Sequence, residues 1–179
     1  MNIETLKENL SNCSLILHNA LEKLALINYI NKGYQFNDPI IASNHFLFLT
    51  ANNLYKLVVL DLHALFGKAN RTNKWSLLHF VVYRDLWPGK HSIDEVDDLL
   101  KDNTNNAVTV TRLRDKEIAH HDFDDKPSIK FNLNELDSLN DMANDAVKII
   151  QLLAEAFNIE FDLETDNSSL EGLKELVNH

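Results

Sequence analysis

Residues 2 to 31 carry apolar positions at Ile3, Leu6, Leu10, Cys13, Leu17, Ala20, Leu21, Leu24 and Ile27. Spacings of three and four residues place them on one stripe of a long helix. Only 4 Gly and 3 Pro interrupt the 179 residues. Few turns are therefore available, which favours long helices over a sandwich of short strands. The length suits one domain, and a chain of this size buries roughly 70% of its unfolded surface, enough to fold without a covalent or metal staple.

Gly33 sits where a C-terminal cap of the first helix is expected. Asp38-Pro39 reads as an N-cap followed by proline at the first helical position. The segment that follows is read as one helix to Phe66, apolar all round and so central in a bundle, with Gly67 ending it. Lys68 to Lys74 is a polar link. A helix over Trp75 to Leu86 is closed by Pro88-Gly89, and Ser92-x-x-Glu95 is a capping box opening a short acidic helix to Leu100. Asn103 to Asn106 is a break or a start, Ala107 to His120 is helical, and Asp122 to Lys130 is a loop. Asn132-x-x-Glu135 opens a long helix to Phe157, Ile159 to Leu163 suits a short extended stretch, and Ser168-x-x-Glu171 starts a terminal helix. The expected fold is all-α, an up-and-down bundle of five or six helices. Residues 1–165 would form a single helical domain, and 166–179 a loosely attached C-terminal helix.

Cys13 is the only cysteine, so no internal disulfide forms and packing is its expected role. The N-terminus does not resemble a secretion signal, and no stretch of about 18 uncharged apolar residues exists. A cytoplasmic location away from membranes is the expectation. The net charge of −10 opposes general coating of nucleic acid, which requires cations to neutralise phosphates. A small cationic cleft for one phosphate remains compatible with it.

Residues 112–124, RLRDKEIAHHDFD, concentrate three cations, four acids and two adjacent histidines. On a helix of about 100° per residue, Ala107, Val110, Leu113 and Ile118 share one arc. Arg114, Glu117 and His121 fall inside it and His120 at its flank, while Arg112, Asp115 and Lys116 point mostly away. A charge on a buried arc costs several kcal/mol unless paired. Local pairing of Arg114 with Glu117, and of Glu117 with His121, is one explanation. A phosphate site is the other. A guanidinium grips phosphate through two hydrogen bonds, and an imidazole exchanges protons near neutral pH. Such a set can cleave RNA without metal, because the ribose 2′-oxygen is the nucleophile and Arg offsets the added negative charge.

The run Arg114-Asp115-Lys116-Glu117-Ile118-Ala119-His120-His121-Asp122 resembles the RDKxxAHxD pattern of the AbiU-like branch of the HEPN superfamily. Leu65 to Gly67 and Trp75-Ser76-Leu77-Leu78 precede it much as in that branch. The resemblance covers residues 1 to about 157, strongly at the motif and loosely elsewhere. It implies a helical homodimer with two motifs facing one cleft and, in active members, metal-independent endoribonuclease activity in phage defence or toxin–antitoxin systems. By position, Arg114 would contact the phosphate, His120 would be the general acid/base and Asp115 would orient them. Lys116, His121, Asp122 and Arg112 would support RNA binding. RNA or a nucleotide, and a protein antitoxin, are the implied partners, with no cofactor. Other members of the superfamily are non-catalytic binding or dimerisation modules.

The remaining candidates are weaker. His18, His45, His63, His79, His91 and His179 form no metal-binding pattern; His45 and His63 would lie about 27 Å apart along one helix. His63 reads as a helix-surface or interface residue and His79 as structural or exposed. Asn52 and Asn53 are expected to bond across helices or line a cavity, with Tyr55 and Lys56 as weak cleft candidates. Arg71, Lys74, Arg84, Lys90 and His91 form either a cationic rim or ordinary solvated charge. Trp75 and Trp87 are expected to pack. Asp94-Glu95-x-Asp97-Asp98 lacks calcium-loop spacing, and no glycine-rich phosphate loop or nucleophile elbow is present.

Overall fold

The first helix, α1, spans Ile3–Gln35, and the Asn2 side chain caps it by accepting from the Thr5 amide. Leu6, Leu10, Cys13, Leu17, Ala20, Leu24 and Ile27 are buried along it, the stripe that the spacing predicts. The computed structural model describes residues 2–68, 74–88, 91–115, 133–160 and 168–177.

Gly33 does not end α1. The helix runs two residues further, and Asn37 takes the left-handed conformation, φ 54°. The Asp38 amide then donates to Gly33 O and the Asn37 amide to Tyr34 O, the paired bonds of a Schellman cap. Gly33 instead permits close approach: a Cβ there would lie 2.3 Å from Cδ1 and 2.9 Å from Cβ of Ile41. Asp38 caps α2, Pro39–Ser43, with proline at its start as predicted.

The expected helix to Phe66 is broken at Asn44. Its side chain accepts from the Phe46 and Leu47 amides and starts α3, His45–Phe66. Asparagine competes in this way with the helical backbone, which is why it favours caps. Gly67 ends α3 as predicted. Only one side of α3 is buried, through Leu47, Ala51, Tyr55, Val58, Val59, Leu62, Leu65 and Phe66. Phe46, Leu49, Leu57 and Leu60 face solvent, so this helix is not enclosed on all sides in the single chain.

The predicted helix over Trp75 to Leu86 is shorter. Buried Ser76 donates to Gly67 O and accepts from the Leu78 amide, and the Leu77 amide bonds to Leu65 O. This strap across the end of α3 delays helix formation to α4, Leu78–Val82, followed by a 3₁₀ turn over Arg84–Leu86. Trp75 is 46% exposed rather than packed. Trp87 is buried against Phe157, and its Nε1 donates to Phe80 O.

The helices α5 (His91–Asp102), α6 (Thr104–Leu113), α7 (Leu133–Phe157) and α8 (Ser168–Val177) complete the described residues. Ser92 lies inside α5 rather than capping it, and Asn132, the predicted cap of α7, is outside the described residues. Most of the Ile159 to Leu163 stretch is outside them too; Ile159 and Glu160 adopt no regular structure. The architecture is all-α, with no strand among the described residues and short α2 and α4 added to six longer helices. One core cluster joins α1, α3, α5, α6 and α7. A second joins Ile30, Ile41, Leu47 and Ala51, with Leu173 of α8 packed against it. No helix of the described residues is long and apolar enough to cross a membrane.

Candidate functional site

α6 brings the motif to α3. Val110 and Leu113 are buried in the main core, as the helical arc predicts. The start of α6 is fixed by Asn103, 2% exposed, whose Nδ2 donates to Leu99 O and to Asp145 Oδ2 on α7. Past Leu113 the backbone widens into a π-type turn at Arg114 and Asp115. A 100° wheel therefore does not carry beyond Leu113, because a π-type turn holds an extra residue.

The Arg114 side chain is 36% exposed, neither enclosed nor in bulk solvent. Its Nε donates to Asp115 Oδ1 at 2.8 Å and its Nη2 bonds to the same oxygen. Its Nη1 lies 3.5 Å from Nδ1 of His63 on α3, a long contact. The guanidinium thus bridges its own helix and α3. The acid that holds it is Asp115; Glu117, the alternative partner, is outside the described residues. Burial and Arg114 push the His63 pKa below the ordinary histidine range, and Asp115 partly offsets them. His63 is therefore neutral at neutral pH. A guanidinium keeps its protons, so Nδ1 is the accepting nitrogen and the ring proton sits on Nε2.

Arg112 points away from the core as predicted, and its side chain is 56% exposed. It approaches Glu135 in the first turn of α7 at 3.8 Å, a weak exposed pair. Glu135 Oε2 also accepts from the Tyr55 hydroxyl at 3.1 Å. Beside this group a cleft of about 540 Å³ opens between α3, α4, α5 and α6. Phe66, Leu78, Leu100 and Ala107 line it, with Lys68, Arg112 and Asp115 supplying charge.

Arg114, Asp115 and Arg112 are thus gathered at one end of the α3–α6 pair. Lys116, His120, His121 and Asp122 lie outside the described residues, as do Arg71 and Lys90. Lys74 and Arg84 are exposed. Asn53 is exposed and the buried Asn52 Oδ1 has no hydrogen-bond partner among the described residues, so the expected cross-helix bonding is not seen there. His79 is half-buried and stacks on Tyr83. No group of three potential metal ligands occurs among the described residues.

Sequence reasoning missed His63 and Glu135 as neighbours of the motif. His63 precedes Arg114 by 51 residues, and no helical spacing links them. Its only signal is a polar residue among apolar ones near the end of α3. Glu135 was accounted for by its capping-box position, which hides its bond to Tyr55. The assembled group can bind an oxyanion through Arg114 and holds a neutral imidazole beside it. No protein-family model matches the chain, and no curated protein or solved structure matches it either.

Proposed function

We propose that the protein is a metal-independent endoribonuclease of a phage-defence or toxin–antitoxin kind, a HEPN-like helical bundle acting as a cytoplasmic homodimer. The observation that carries this reading is the Arg114 guanidinium, turned toward α3, half-buried and held by Asp115. Arg114 contacts the scissile phosphate, Asp115 orients the guanidinium and His120 is the general acid/base. A base takes the 2′-OH proton, the 2′-oxygen attacks phosphorus and the 5′-oxygen leaves with a proton. A 2′,3′-cyclic phosphate remains. Lys116, His121, Asp122 and Arg112 help to hold the RNA. Acid–base assistance of this type contributes about 10²–10⁴-fold in rate.

Two further features support the reading. The adjacent cleft of about 540 Å³ lies within the range of small-ligand sites, so a nucleobase fits beside the phosphate. Phe46, Leu49, Leu57 and Leu60 form one exposed apolar stripe on α3, which suits a second copy of the chain. A protein antitoxin is a partner of the same proposal.

Two observations favour a second reading. Asp115 already occupies one side of the guanidinium, and the net charge of −10 repels RNA. A non-catalytic module binding a nucleotide or protein partner through the same motif fits those facts. Labelled RNA incubated with the protein in EDTA separates the two. Cleavage leaving cyclic phosphate ends, lost in both Arg114→Ala and His120→Ala, is expected. Intact RNA across several substrates favours the second reading.

A further inference from the structure

The guanidinium of Arg114 has five N–H bonds, and among the described residues three are engaged. Nε and Nη2 each give one to Asp115 Oδ1, and Nη1 gives one, over a long 3.5 Å, to His63 Nδ1. Two have no acceptor among the described residues, one on each terminal nitrogen. The two terminal nitrogens of a guanidinium can donate to two oxygens of a phosphate. Asp115 holds the opposite side, so it fixes the group without filling the end. His63 lies against Nη1, beside the place where an oxyanion would sit.

We propose that His63 is the second anion contact of the Arg114 site, so that binding of a phosphodiester oxyanion there takes up a proton. The inference rests on the reading of Arg114 as a phosphate contact, but it requires no cleavage. In the resting protein the neutral ring accepts from Nη1. On protonation Nδ1 loses its lone pair and becomes a donor, the Nη1 hydrogen it held is released, and both can turn to the anion. The charges around the ring permit this. From α6, Arg114 disfavours the imidazolium and Asp115 favours it. On α3 itself, Asp61 is paired with Lys23 of α1 at 2.8 Å. On α7, Glu135 is engaged by Tyr55 and Arg112. A bound anion is the missing counter-charge.

The direction of the pH effect follows. His63 titrates below the ordinary histidine range without ligand, and an adjacent anion raises that value. Between the two values binding takes up a proton, so affinity rises as pH falls, by at most about tenfold per pH unit. Above the higher value it is flat.

Sulfate is the probe, because it does not titrate in this range, at ionic strength held constant with chloride. The His63 ring signal is assigned by its absence in His63→Gln, which keeps an acceptor for Nη1 but cannot titrate. Sulfate should raise the His63 pKa in the wild-type protein and not in Arg114→Ala. It should bind severalfold tighter at about pH 5.5 than at about pH 7.5. His63→Gln should lose the gain in acid. An unmoved His63 pKa, or an equal acid gain in His63→Gln, overturns the proposal. Absence of any Arg114-dependent sulfate binding overturns it together with the phosphate role of Arg114. Proton-coupled binding without RNA cleavage would leave it standing and remove only the ribonuclease reading.

Discussion

Asn103 Nδ2 donates to Asp145 Oδ2 at 2.9 Å, joining the α5–α6 corner to the middle of α7. Through this bond the start of α6, and with it the approach of Arg114 to α3, is referred to the longest helix of the second half of the chain. Removing this buried amide takes the partner from Asp145 Oδ2, while Leu99 O keeps the Asn103 backbone amide at 3.2 Å.

Asn103→Ala should therefore lower unfolding stability by about 1–3 kcal/mol in urea denaturation. Burial pushes the Asp145 pKa up, but the Asn103 amide and Lys148 outweigh it and hold the value below the ordinary carboxylate range. Stability from this lowered group is present above the unfolded pKa and lost as pH falls through the folded one. The variant should show a shallower loss in acid than wild type. An unchanged acid limb would refute the bond's contribution.

Gly33→Ala tests the α1–α2 contact. The new methyl would meet Ile41 Cβ, not only its mobile end, so α2 must shift. A loss of about 1–3 kcal/mol is expected, exceeding the gain of about 1 kcal/mol from replacing glycine within a helix. Combined with Ile41→Ala, the two losses should be less than additive. Full additivity would mean that the methyl clashes with nothing.

Cys13 should be inert in the folded protein. Burial pushes its thiol from an ordinary 9.0 to about 12, and Sγ donates to Trp75 O at 3.1 Å. Iodoacetamide should react at least about 100-fold more slowly than with the urea-unfolded chain. Because the folded pKa is the higher one, stability should fall as pH rises past the unfolded value. Rapid labelling at neutral pH would contradict the packing role.

The helices with unbroken stripes were legible, and so were the Asp38-Pro39 start and the Gly67 stop. What failed were positions where one residue type serves two ends. Gly33 reads as a stop because glycine tolerates left-handed backbone, yet here its missing side chain admits Ile41 and Asn37 makes the turn. Asn44 reads as an interior polar residue because its capping depends on the chain turning there. At the site, helical periodicity put Arg114 on a buried arc, whereas the backbone widens there and leaves its side chain 36% exposed, in contact with His63 of α3. His63 was illegible for a different reason: a contact across 51 residues is set by helix packing, and local patterns do not encode it.

The placement of phosphate on Arg114 is tested most directly by a crystal structure of the wild-type protein with a 2′-deoxy dinucleotide, which lacks the attacking hydroxyl. Phosphate oxygens within about 3 Å of Nη1 and Nη2, with Asp115 still on Nε, are the expected result. A dinucleotide bound elsewhere, with the terminal nitrogens of Arg114 facing no anion, would contradict it.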